Sequence, residues 1–146
     1  MFERIMVAID EADPATPAID VGAGLARLLG AQLALVRVVD PVAASNPEGG
    51  LPARELLEEA RRADSDLLRT AREQLAPDLA PETFLREGRP AREILAAARE
   101  WGAQLIVIGA RHHTRLGHLL WRDTAEALVR EAAFAVLTVP GTGTSA

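Results

Sequence analysis

The chain has no cysteine, which excludes disulfides, thiolate metal sites and cysteine nucleophiles. It has no long apolar run either: nothing approaches the ~18 residues that a membrane span needs. The opening stretch, Met1 to Asp10 (MFERIMVAID), is too short for the apolar core of a signal peptide and already reads as a strand. A cytoplasmic location with no membrane partner is therefore expected. Net charge is −5, so there is no overall basic field, and nucleic acid is not expected as a partner. The catalytic signatures that are easiest to read are missing too. No Walker-type glycine-lysine loop occurs, and there is no GxSxG nucleophile elbow.

What remains is an ordinary globular composition, 49% hydrophobic and 25% charged over 146 residues. A chain of this length fits one domain and buries roughly 68–70% of the surface it exposes when unfolded. One domain over residues 1–140 is expected, with a flexible tail over 141–146.

Apolar runs rich in β-branched residues alternate with segments of helical period. The runs are Ile5 to Ile9, Leu33 to Val39, Leu105 to Ile108 and Ala135 to Val139, with a weaker strand at Thr83 to Arg86. Those at Leu105 and Ala135 lack polar alternation, which predicts strands covered on both faces. A first helix is predicted from Pro17 to Leu29. Thr16 would be its N-cap, Gly30 its stop, and Ala18, Val21, Leu25 and Leu28 its inward face. A second, from about Ala53 to Ala76, would turn Leu56, Ala60, Ala63, Leu67, Ala71 and Leu75 inward. A third, Ala91 to Trp101, would use Ile94, Ala97, Ala98 and Trp101. Ala125 to Ala133 makes the fourth, and Pro41 to Pro52 reads as a long loop.

This β-α alternation predicts an α/β fold: an open, doubly wound parallel sheet with right-handed crossovers and helices on both faces. Ligands of such sheets sit beyond the carboxyl ends of the strands, where the strand order reverses. The positions to inspect are Asp10 to Asp13, Asp40, Gly88 and Gly109 to Asp123. Gly22-Ala23-Gly24 is not a dinucleotide fingerprint, because it falls inside a helix; close helix packing explains it. Asp10, Glu11 and Asp13 read as turn and cap carboxylates rather than as an acid-base or Mg²⁺ cluster, and no catalytic residue is assigned. Trp101 reads as core, while Trp121 could cover a pocket or a dimer contact.

Several segments together resemble the universal stress protein family over essentially the whole chain. They are VAID at Val7 to Asp10, VVDP at Val39 to Pro41, Gly88 and Pro90 before a helix, LIVIGAR at Leu105 to Arg111, and AEALVREAAFAVLTVP at Ala125 to Pro140. The resemblance implies a single-domain, five-stranded parallel sheet in the order 3-2-1-4-5, of the adenine nucleotide alpha hydrolase-like type. It implies dimerisation, often through the last strand. It also implies ATP binding between the first and fourth strands in many members, with Asp10 and the Val39 to Asp40 neighbourhood flanking an adenine and Gly88 near the ribose.

The phosphate loop departs from this pattern. ATP-binding members carry a glycine, two residues, a glycine, nine residues, then a glycine followed by Ser or Thr. Here Gly109 is kept, but His112, Arg122 and Asp123 fill the later positions, and Arg115 fills a further small-residue site. Glycines there allow positive φ and close approach of amides to phosphate, whereas a Cβ in left-handed geometry costs roughly 1–2 kcal/mol. Asp123 to Glu126 also reads as a capping box that would place a fixed carboxylate on the first-turn amides. Arg111, Arg115 and Arg122 offer side-chain cations instead.

All three histidines, His112, His113 and His118, share this loop. They could bind zinc with Asp10 or Asp13, although the spacing is no recognised ligand pattern and no metal site is assigned. Three functional classes follow. The first is a non-enzymatic stress-response or regulatory module with a degenerate nucleotide site. The second is an ATP- or AMP-binding stress protein using an arginine-rich phosphate loop, and the third is a metal-binding regulator. Independently of the resemblance, a short, apolar, uncharged strand at Ala135 to Val139 would invite self-pairing into a homodimer if it lies at the sheet edge.

Overall fold

The computed structural model describes residues 1–9, 16–41, 52–109 and 116–140, and for 116–123 the backbone alone. Among the described residues its strands and helices are β1 (Arg4–Ala8), α1 (Pro17–Leu29), β2 (Gln32–Val39), α2 (Ala53–Leu75), β3 (Glu82–Glu87), α3 (Pro90–Trp101), β4 (Leu105–Gly109), α4 (Leu116–Glu131) and β5 (Ala135–Val139). All four strand pairings are parallel and give one sheet in the order β3-β2-β1-β4-β5. The order reverses between β1 and β4, the position at which an open α/β sheet forms its crevice.

Alternation along the strands separates the core into two layers. Ile5, Val7, Ile9, Leu33 and Leu35 pack beneath α1 and α2, where they meet Ala23, Ala26, Leu67 and Ala71. Met6, Ala8, Val36, Ile106 and Ile108 face α3 and α4, against Ile94, Ala97, Ala98 and Leu128. Each fully buried Ile or Leu contributes about 1.5–3 kcal/mol.

Helix α1 has the predicted bounds. The Thr16 hydroxyl accepts the Ile19 N–H at 3.3 Å, and Gly30 closes the helix at φ 64°. Its buried face differs from the expected one. Ala18, Ile19, Gly22, Ala23 and Ala26 are buried, Val21 and Leu25 are half-buried, and Leu28 is 80% exposed. The cause lies at Gly22, where a Cβ would come within 2.3 Å of Val7 Cγ2. Contact through small residues rolls the larger side chains outward.

In α2, Leu67, Ala71 and Leu75 are buried as expected and Ala63 is exposed, with Asp64 turned towards β2 instead. In α3 the buried set is the expected one with Leu95 added. Helix α4 begins nine residues before the predicted Ala125, because nothing between Leu116 and Asp123 breaks a helix apart from Gly117, which costs only ~1 kcal/mol. The uncharged strand β5 is not covered on both faces: it is an edge strand with Ala135, Leu137 and Thr138 exposed. Strand β4, by contrast, is buried from Leu105 to Ile108. The predicted loop after Pro41 and the tail from Gly141 fall outside the described residues.

Candidate functional site

The carboxyl ends of the strands bring four of the expected site residues to one edge. Val39 ends β2 with its side chain buried, and its carbonyl accepts the Gly88 N–H at 3.0 Å, joining the ends of β2 and β3. Asp40 follows, half-buried. Gly88 has φ 144°, a backbone geometry that favours glycine, and the Glu93 side chain lies against it: an added Cβ would meet Glu93 Cγ at 3.0 Å. Gly109 ends β4, half-buried and in register with Val139 of β5.

Asp10, Arg111, His112 and Arg115 lie outside the described residues, as do Glu11, Asp13 and His113. Arg122 and Asp123 are placed by their backbone, and here the capping-box reading is overturned. Both residues lie inside α4, six and seven positions beyond its first residue. In an α-helix only the first four N–H groups lack an intrahelical partner, so the amides of residues 122 and 123 fall among those committed to the helix ladder. His118 and Trp121 belong to the same helix. Among the described residues no group of three metal-ligating side chains occurs.

Sequence reasoning missed one pair beside this edge. Arg37, on the α2 side of β2, places Nε 3.1 Å from Asp64 Oδ1 and donates from Nη1 to the Ile9 carbonyl at 2.9 Å. The signal was present as a charged residue within the apolar run LALVRVV, since a charge in a buried strand requires a partner.

At the amino pole of the sheet, Arg27 Nε donates to Asp78 Oδ2 at 2.6 Å, and this hydrogen bond holds the exposed Asp78 carboxyl below its ordinary value. An open groove of about 380 Å³ beside Asp78, lined by Leu33, Leu79 and Trp101 among others, lies at that pole and not at the strand-end crevice. No helix among the described residues is long and apolar enough to cross a membrane.

An open parallel sheet with its crevice at the β1–β4 reversal defines an α/β protein of the nucleotide-binding-like class, and comparison with known proteins makes the class specific. The sequence model of the Universal stress protein family matches residues 1–140. A universal stress protein of Thermus aquaticus, from the QAH/OAS sulfhydrylase 3' region, is 33% identical over 140 residues, which span 95% of this chain and 99% of that protein. Among solved structures, universal stress protein UspA from Lactobacillus plantarum superposes with a TM-score of 0.77 at 26% identity, covering 94% of this chain and 97% of that one. A universal stress protein solved in complex with cAMP shares the fold, with a TM-score of 0.66 at 21% identity and coverage of 94% and 97%. The chain belongs to the universal stress protein family.

Proposed function

We propose that this member is a non-enzymatic, cytoplasmic stress-response module, working as a homodimer, in which the adenine side of the crevice persists and the triphosphate cradle has been lost. The observation that carries this reading is the course of α4. The positions that ATP-binding relatives fill with glycine and Ser or Thr are Arg122 and Asp123, and both lie within a helix that occupies their amides. A cradle built from backbone N–H groups needs those groups free. A kept adenine side is supported by the Val39 carbonyl, which accepts the Gly88 N–H, and by the φ of 144° at Gly88, at the strand ends that the family resemblance associates with the nucleoside.

The two sheet edges favour dimerisation through β5. The β3 edge is guarded by charge: Arg61 grips Glu87 with two bonds of 2.8 and 2.9 Å, and Arg86 pairs with Glu100. The β5 edge carries no charged residue and exposes Leu137, and α4, which packs against β5, exposes Val129 to 60%. Proteins guard the edges they keep solitary, and an unguarded apolar edge suits self-pairing.

Thermal midpoints of metal-stripped protein with and without millimolar Mg-ATP, beside denaturing mass spectrometry for co-purified nucleotide, test the loss of the cradle. A ligand at 100 times its Kd would stabilise by ~2.7 kcal/mol and move the midpoint by several degrees. No shift and no nucleotide is the expected result. A shift of that size would instead favour an ATP-binding member that holds phosphate through Arg111, Arg115 and Arg122.

A further inference from the structure

We infer that Arg37 is the positioning residue of the crevice, an internal brace that sets the carboxyl end of β1 against β2 and α2. The inference rests on the crevice being the working end of the molecule, but its test does not depend on which ligand enters.

Arg37 stands third from the end of β2, on the layer that faces α2, with its side chain 17% exposed; the Asp64 side chain is 14% exposed. The guanidinium is used in two directions. Nε faces Asp64 of α2, and Nη1 donates to the carbonyl of Ile9. Ile9 is the residue at which β1 leaves the sheet: the strand ends at Ala8, and the Ile9 N–H makes one more bond, to the Val36 carbonyl at 2.9 Å. Both backbone polar groups of Ile9, which lie in successive peptide units, are thus held by β2: the N–H by the Val36 carbonyl and the C=O by the Arg37 side chain. Its neighbour in sequence is Asp10.

A planar guanidinium can serve two partners at a fixed angle, whereas an ammonium is a point charge on a flexible stem. The choice of an arginine is informative on energetic grounds as well. Replacing a partly buried ion pair with well-packed apolar side chains is often neutral or stabilising, so stability alone does not call for Arg37 and Asp64. Leu33 and Leu35 fill the equivalent places earlier on the same strand face. The carbonyl contact at Ile9 is what an apolar residue could not supply.

The experiment is amide hydrogen exchange by NMR on the full chain, comparing wild type with Arg37→Lys, Arg37→Met and the double variant Arg37→Met/Asp64→Leu, with thermal midpoints recorded alongside. The double variant removes the brace without leaving an unpaired charge, so it is expected to keep a midpoint close to wild type. In it and in Arg37→Met, the Ile9 amide is expected to exchange at least tenfold faster relative to Met6 and Val7. Arg37→Lys, whose three donors share one nitrogen on a flexible stem and do not reproduce the fixed spread of the guanidinium, should fall between. Wild-type protection of Ile9 in the folded variants would overturn the proposal. Exchange rising equally along all of β1 would also overturn it, as would loss of folding in every variant, since either would make the pair an element of stability rather than of position.

Discussion

Gly22 of α1 and Val7 of β1 are in such close contact that a methyl group added to the glycine would lie 2.3 Å from Val7 Cγ2. That approach fixes the height of α1 above the sheet and explains why Ile19, Ala23 and Ala26, and not Leu28, are buried. Gly22→Ala would gain up to ~1 kcal/mol of helix propensity but would overpack the interface at a cost of typically ~1–3 kcal/mol. Net destabilisation is expected, read as a fall in the denaturant midpoint at unchanged slope. Gly24→Ala, which meets nothing within 4 Å, should stabilise and serves as the control.

The unguarded β5 edge predicts assembly. Light scattering at micromolar concentration should give twice the 15.6 kDa chain mass. Leu137→Arg places a charge on an exposed strand position and should return the monomer with its fold intact. A wild-type monomer would remove β5 pairing from the account.

The Arg27–Asp78 pair predicts an acid effect of definite sign. Its hydrogen bond lowers the folded-state value of Asp78 below the ordinary 3.8, so the stabilisation is present above that value and is lost as pH falls through the folded value. Asp78→Asn should therefore be less stable than wild type near neutrality and indistinguishable from it in strong acid. Both side chains are about half exposed, so the difference should be small and should fade at about 1 M salt. Urea midpoints across the pH range check this.

Much of the fold can be read from the sequence because local and global signals agree. Thr16, Pro17 and Gly30 bound α1 as capping chemistry requires, and the apolar runs mark every strand to within a residue. The inward face of α1 could not be read, since hydrophobic period favours Leu28 while a single glycine contact with Val7 decides the rotation. The start of α4 was obscured for a different reason. Asp123 to Glu126 has the form of a cap, but a cap works only where the preceding chain is not helical, and a local motif carries no information about that. Of the site, Asp40, Gly88 and Gly109 were accessible through strand ends and Val39 through the family resemblance, whereas Arg37 and Asp64 meet only once β2 and α2 are packed.

The proposed loss of the phosphate cradle, argued from the helical course of Arg122 and Asp123, is tested by restoring the glycine pattern, with His112 changed as well. Equilibrium binding of Mg-ATP should be measured for wild type and for the His112→Gly/Arg122→Gly/Asp123→Ser variant under the same conditions. At least tenfold tighter binding by the variant is expected, with wild type showing little or none. Micromolar binding by wild type that the triple substitution leaves unchanged or weakens would contradict it, and would assign phosphate holding to the arginines.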